Sequence, residues 1–387
     1  MTVRRDEWRT NGSPWAKDGR NRVTAYCDTD LVHASYLFTG LLELEVAGEI
    51  ELDCALRDGS VPGVRGPFTA WLKVQAGDDR PRSVCWDNHD SSDYVCQASS
   101  DACDLYLKTN FSSRTPRAMP EGRRSIVHPA GPHTPCRPRS ERHLPLRVLG
   151  NSFAHLRRRI LNPGRETSLV DKVREVAFYA RRVRGYLKRQ VWTRYERPFE
   201  ASTTEVGTPF VFFNPSCWPE ASVDAREVNE FRRAVIVGLR EALGKDFEGG
   251  FRASALASEK YPDALERRPY THQEYLELLQ RTPVALYTNG LSGCFSWRFV
   301  EEMAASKCLV AERIPDDAGW PLDESAGILQ ASDPHQLVQT VVDLHKNRMR
   351  VEEMRRRAWA AYSRHLRPSV AVRRLLTLAA DGGPGRA

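Results

Sequence analysis

Residues 281–313, RTPVALYTNGLSGCFSWRFVEEMAASKCLVAER, constrain the fold more than any other stretch. Pro283, Val284, Ala285, Leu286 and Tyr287 form an apolar run of the length of a buried strand. A turn follows, Asn289, Gly290, Leu291, Ser292 and Gly293. From Ser296 onward, Phe299, Val300, Met303 and Ala304 recur at helical spacing. Residues 308–311 read as the next strand. Strand, tight turn, helix and strand make the ligand-binding corner of a doubly wound sheet. Ligands there sit beyond the carboxyl ends of the strands, at the amino end of the helix. Arg298 and Glu301 lie three apart near that helix start and share one face. A guanidinium beside exposed helix N–H groups suits a diphosphate, and a carboxylate suits ribose hydroxyls. The spacing alone is equally compatible with a solvated Arg/Glu pair on an ordinary βαβ unit.

Ser296, Arg298, Glu301 and Ala304 spell Ser-x-Arg-x-x-Glu-x-x-Ala, and this stretch resembles the nucleotide-sugar corner of glycosyltransferases of the GT-B architecture. The likeness covers roughly residues 205–375. It implies an α/β chain of two Rossmann-like domains facing across a cleft, with the C-terminal helices packing back. It also implies a nucleotide-diphosphate sugar as co-substrate, with no cofactor and no metal. Arg298 would neutralise the diphosphate and Glu301 would accept hydrogen bonds from ribose. Asn214, Ser296 and the turn Asn289, Gly290 and Gly293 would approach the phosphates, the turn through backbone N–H groups. The retaining subgroup often carries a glutamate eight positions before the ribose-binding one. Here that position is Gly293, or Cys294 counted from Glu302, so stereochemical outcome stays open. Ser306 stands where a glycine is common.

The 387 residues suffice for two domains, and 41% apolar residues with nine tryptophans allow full cores. No stretch approaches a membrane span. Residues 1–20 are a polar leader without the apolar core of a secretion signal. Nine cysteines without a CxxC pair point to reduced thiols in a cytoplasm, and Cys85, Cys96 and Cys103 read as small buried apolar residues. The net charge of +7 is uneven: residues 137–197 hold 17 Lys or Arg against five Asp or Glu. Such a segment reads as a solvated helix face, a groove for an anionic substrate, or a peripheral anchor on anionic membrane.

In chain order, strands are expected at residues 22–27, 50–56, 68–74, 83–86 and 104–108, with a helix over 33–47 closed by Gly48. This pattern predicts an N-terminal α/β domain, residues 21–203, with a largely parallel sheet. Residues 112–146 read as a long loop. The second domain, residues 204–387, opens on the apolar strand 209–213, which ends at Asn214, Pro215 and Ser216. Helices are expected at 227–243, 271–280, from Asp333 to 345, and over 351–378, with strands at 247–253 and 327–330.

The acceptor of the sugar would bind the N-terminal domain, where the resemblance places the catalytic base when there is one. Asp28, Asp30 and His33 fall at the carboxyl edge of the first strand. His33 has a side chain suited to accept a proton, with Asp30 orienting its ring. His89, between Asp87 and Asp90, is the other candidate, and Lys108 is a candidate phosphate contact. Two other readings compete. The Arg-rich segment fits nucleic-acid binding, but without interleaved stacking aromatics. A sugar-nucleotide epimerase on the same scaffold is the second.

Overall fold

The computed structural model describes residues 21–26, 31–56, 68–136 except 78, 209–314 and 318–381, with isolated helical positions between 149 and 184. The leader 1–20, Asp28, Asp30, most of the segment 137–197 and the junction at residues 203 and 204 lie outside the described residues. Two sheets organise the rest.

The first unit runs β1 (Arg22–Tyr26), α1 (Leu31–Val46), β2 (Glu51–Ala55), β3 (Thr69–Gln75), β4 (Arg82–Asp87), α2 (Gln97–Ala102), β5 (Leu105–Lys108), α3 (Thr115–Ala118) and β6 (Val127–Pro129). Its sheet order is β2-β1-β3-β4-β5-β6. β1 with β2, and β4 with β5 and β6, are parallel, but β3 is antiparallel to both neighbours. The sheet is mostly parallel as expected, with β3 as the exception. Only six residues, 76–81, join β3 to β4, and a connection this short makes neighbours antiparallel. A correction concerns residues 112–146. Helical turns and β6 occupy part of what reads as loop, because pairing to β5 orders a segment with no periodicity of its own.

The second unit runs β7 (Val211–Phe213), α4 (Val223–Leu243), β8 (Phe247–Gly249), α5 (Ala255–Lys260), α6 (His272–Arg281), β9 (Val284–Tyr287), α7 (Trp297–Ala304), β10 (Cys308–Glu312) and β11 (Ile328–Ala331). All its strands pair in parallel, in the order β11-β10-β9-β7-β8. The order reverses between β7 and β9, so a crevice opens beyond their carboxyl ends. β8 ends four residues earlier than the apolar run would allow. Gly249 and Gly250 both take positive φ, and a Cβ on Gly249 would lie 2.0 Å from the Phe213 carbonyl oxygen. α6 is opened by a capping box in which Thr271 and Glu274 exchange hydrogen bonds.

Three helices close the chain: α8 (Pro334–Lys346), α9 (Arg348–Ala361) and α10 (Pro368–Asp381). The expected single helix over 351–378 is split, because Pro368 restricts Arg367 to an extended conformation. α10 returns to the first unit and lies on α1. Gly40 makes this approach possible, since a Cβ there would sit 2.4 Å from the Pro368 carbonyl oxygen. Tyr36 donates to the Leu366 carbonyl at 2.5 Å, and Arg373 forms a two-pronged pair with Glu49 at 2.6 Å. α1 is therefore covered on both sides, and its apolar residues from Ala34 to Leu44 are buried almost all round. Among the described residues no helix is long and apolar enough to cross a membrane.

Candidate functional site

A cavity of about 660 Å³ occupies the crevice between β7 and β9. Each side of the strand-order reversal supplies a wall. Asn214, Pro215 and Ser216 follow β7, Arg252 follows β8, and Thr288 and Gly290 follow β9. α6 and α7 add Tyr275, Ser296, Trp297, Arg298 and Glu301. His33, Asp90 and Pro135 face these groups from the first unit.

Three guanidinium groups converge here. Arg298 lies 5.2 Å over the Tyr275 ring. Arg252 donates to the Ser216 hydroxyl, and burial followed by the charge of Arg298 lowers its pKa. Arg232 is buried on α4 and donates to three uncharged oxygens: Thr288 Oγ1 at 2.9 Å, the Ser216 carbonyl at 2.8 Å and the Asn289 carbonyl at 2.9 Å. Burial first, then Arg298, pull the Arg232 pKa down to about 10. Among the described residues none of the three has a carboxylate partner. Gathering like charges in a partly desolvated crevice is costly, and an anion placed between them removes that cost.

Glu301 adds the opposite charge at one edge. Its Oε2 accepts from the Tyr275 hydroxyl at 2.8 Å and its Oε1 from Thr134 of the first unit at 3.2 Å. The next residue does something else. Glu302 points into the core, its Oε2 meets no partner among the described residues, and burial raises its pKa well above the usual carboxylate range. A helical step of one residue separates a cavity-facing carboxylate from a buried acid whose pKa burial raises.

The turn after β9 is tighter than its sequence shows, and this corrects the expected phosphate contacts. The Asn289 N–H donates to Glu312 at 2.9 Å, Gly290 N–H to the Cys294 carbonyl at 2.8 Å and Gly293 N–H to the Gly290 carbonyl at 3.2 Å. The two glycine amides are spent within the turn, and the Asn289 amide is taken by Glu312 at the end of β10. Gly290 is required by packing, since a Cβ there would sit 2.5 Å from Cys294 Sγ. Asn214 lines the cavity, but its amide is held by the Gly250 carbonyl at 2.9 Å and Glu266 at 2.7 Å. Ser296 precedes α7 without capping it through its side chain, and its carbonyl accepts from the Phe299 N–H at 3.1 Å. Ser306 takes the position of a left-handed helix cap, φ 57°, and its hydroxyl bonds the Arg355 carbonyl at 3.1 Å. That bond offsets the strain a glycine would avoid.

On the first unit, His33 stands in the cavity wall with its ring edge-on to Trp297 at 5.3 Å and to Phe68 at 5.2 Å. His89 is not brought to the cavity. Its ring stacks on Tyr94 at 4.1 Å, and burial, then Lys108, lower its pKa. Lys108 is also withdrawn. Its Nζ is buried against Asp87 at 3.1 Å and the His89 carbonyl at 2.9 Å, so it is a strut of the loop after β4 rather than a phosphate contact. The structure thus assembles His33, Arg298, Glu301, Asn214, Gly290 and Ser296 around one cavity. Arg232, Arg252 and Tyr275 join them without having been singled out, and Thr134 reaches the site through its bond to Glu301. Arg232 did leave a signal, because it occupies the apolar stripe of α4 with Val235, Ile236 and Leu239. Arg252 left none.

The two α/β units facing across this crevice make up a GT-B architecture. No family model matches the chain, and neither does any curated protein. Solved structures do. TarM is 12% identical over 46% of this chain and 36% of that one, with a TM-score of 0.34. Anabaena Alr3699/HepE in complex with UDP and glucose is 10% identical over 72% of this chain and 63% of that one, at 0.39. A proposed UDP-N-acetylglucosamine 2-epimerase from Listeria monocytogenes is 10% identical over 92% and 94%, at 0.38. This chain therefore spans about a third of the length of TarM. What the cavity does is decided by its own side chains.

Proposed function

We propose that the chain is a glycosyltransferase that takes its sugar from a nucleotide-diphosphate donor. The observation that carries this reading is the convergence of Arg232, Arg252 and Arg298, all without a carboxylate partner among the described residues, at the strand-order reversal of a parallel sheet. A diphosphate matches that charge, and Glu301 beside it matches a ribose hydroxyl pair. As the bond from sugar to diphosphate breaks, negative charge grows on the leaving oxygen. Guanidinium groups already aimed at it stabilise that charge with no reorganisation. Arg298, braced on Tyr275 rather than on an acid, is the group best able to move onto a bound phosphate. His33, across the cleft, stands where an acceptor hydroxyl would approach and is the candidate base.

Calorimetry with UDP tests the donor half. Arg298→Ala is expected to weaken binding by about ten- to a hundredfold, the worth of a charge-assisted hydrogen bond. Unchanged affinity sinks the assignment. His33→Ala is expected to slow sugar transfer while UDP affinity holds. A UDP-sugar consumed with no acceptor present would show an epimerase instead.

A further inference from the structure

A row of aromatic rings that the donor reading does not use runs from Trp297 of the second unit onto the first. Trp297, at the start of α7, meets the His33 ring at 5.3 Å. His33 meets Phe68 at 5.2 Å, Phe68 meets His89 at 5.8 Å, and His89 stacks on Tyr94 at 4.1 Å. The row begins in the cavity wall and ends on the open surface. Both ends are exposed, Trp297 at 37% and Tyr94 at 46%, and the three rings between are partly buried. A row built only for packing would bury its terminal rings. These two present large apolar faces to solvent at a substrate cleft.

The charge along the row differs from that of the donor wall. The cavity residues supplied by the first unit are His33, Asp90 and Pro135, with no lysine or arginine among the described ones. Asp90 and Asp93 are exposed beside the rings. Among the described cations of the first unit, Lys108 is held by buried Asp87 at 3.1 Å, and Arg114 pairs with Asp93 at 3.3 Å, which leaves Asp90 as the exposed carboxylate without an ion-pair partner among the described residues. A phosphate-bearing acceptor would meet Asp90 here, with no lysine or arginine among the described cavity residues of the first unit to answer it. A neutral polyhydroxylated chain would fare better. Its C–H faces carry slight positive charge and suit the negative faces of aromatic rings, and its hydroxyls donate to exposed carboxylates.

Resting on the donor reading above, we infer that this row is the track for a neutral, extended saccharide acceptor. Trp297 holds the unit whose hydroxyl is glycosylated, next to His33. Tyr94 holds a unit farther along the chain, so longer acceptors bind more tightly than a single sugar.

The test titrates the UDP-loaded protein with glucose, N-acetylglucosamine, cellotetraose, maltotetraose and chitotetraose, and separately with polyuridylate and phosphatidylglycerol vesicles. At least one tetrasaccharide is expected to bind more tightly than its monosaccharide. Tyr94→Ala is expected to weaken that tetrasaccharide about fivefold and the monosaccharide not at all. Trp297→Ala is expected to weaken both, and Tyr94→Ala is expected to leave UDP affinity and melting temperature unchanged. Equal affinity for one and four units overturns the inference, as does indifference to both substitutions. Preference for polyuridylate or the vesicles also overturns it. Failure to bind UDP, with saccharide binding still length-dependent and Tyr94-dependent, overturns the donor reading and leaves the track standing.

Discussion

The wall of the cleft built from the second sheet carries three guanidinium groups and one carboxylate. The wall built from the first carries a histidine, an aspartate, a proline and an aromatic row. The difference follows from how each wall is made. A fully parallel sheet with a strand-order reversal gathers loop ends and a helix start at one spot, which suits a compact anion. The mixed first sheet sets His33, Phe68, His89 and Tyr94 side by side along an edge, which suits an extended ligand contacted ring by ring. One wall binds through charge and the other through faces.

The largest effect should come from Arg232, which links the two sides of the strand-order reversal. Arg232→Met removes a cation and leaves three buried oxygens without their donor. UDP binding is expected to fall by about a hundredfold, with a loss of about 3 kcal/mol in stability by chemical denaturation. Retained binding would mean that the charge of the second wall is incidental.

Next come the neighbouring glutamates, which separate site from scaffold. Glu301→Gln should weaken UDP about tenfold and leave the melting temperature unchanged. Glu302→Gln should do the opposite. Its carboxyl keeps its proton in the folded protein above the pH at which the unfolded chain releases it, so ionisation of the unfolded chain costs stability as pH rises past about 4.5. The amide removes that penalty, and the melting temperature at neutral pH should rise with UDP affinity intact. If Glu302→Gln loses UDP binding and Glu301→Gln does not, the register of α7 in the cavity is wrong.

The smallest effect lies on the first wall and is confined to acid. Burial, then the charge of His33, push the His133 imidazole down to about 3 from its ordinary 6.5. The unfolded chain takes up a proton below pH 6.5 and the folded one does not, so stability falls as pH drops from 6.5 toward 3. His133→Asn should flatten that slope in pH-dependent denaturation and change nothing near pH 8. Because Thr134 follows in the chain and bonds Glu301, acidification should also loosen a contact that joins the two walls.

Much of the second unit was legible because its signals are local. The apolar strand at 284–287, the helical repeat of Phe299, Val300 and Met303, and the caps Thr271 and Asp333 each depend on residues a few positions apart. The first unit was harder to read. β6 is held by pairing to β5, and nothing in residues 127–129 announces it. The turn after β9 misled for a related reason. Glycines advertise a tight turn, but Glu312, a distant residue, takes up the Asn289 amide.

The amino-acid sequence by itself determined the two α/β units, the helix that sets Arg298 and Glu301 on one face, and the uneven charge. Those follow from periodicity and short-range chemistry. Only the tertiary structure decided that Arg232 and Arg252 join Arg298, that His33 faces them while His89 does not, and that Lys108 is a strut. Each of those facts depends on which loops meet across a sheet edge or a cleft. Residues dozens to hundreds of positions apart come together there by packing, and no local pattern records the meeting.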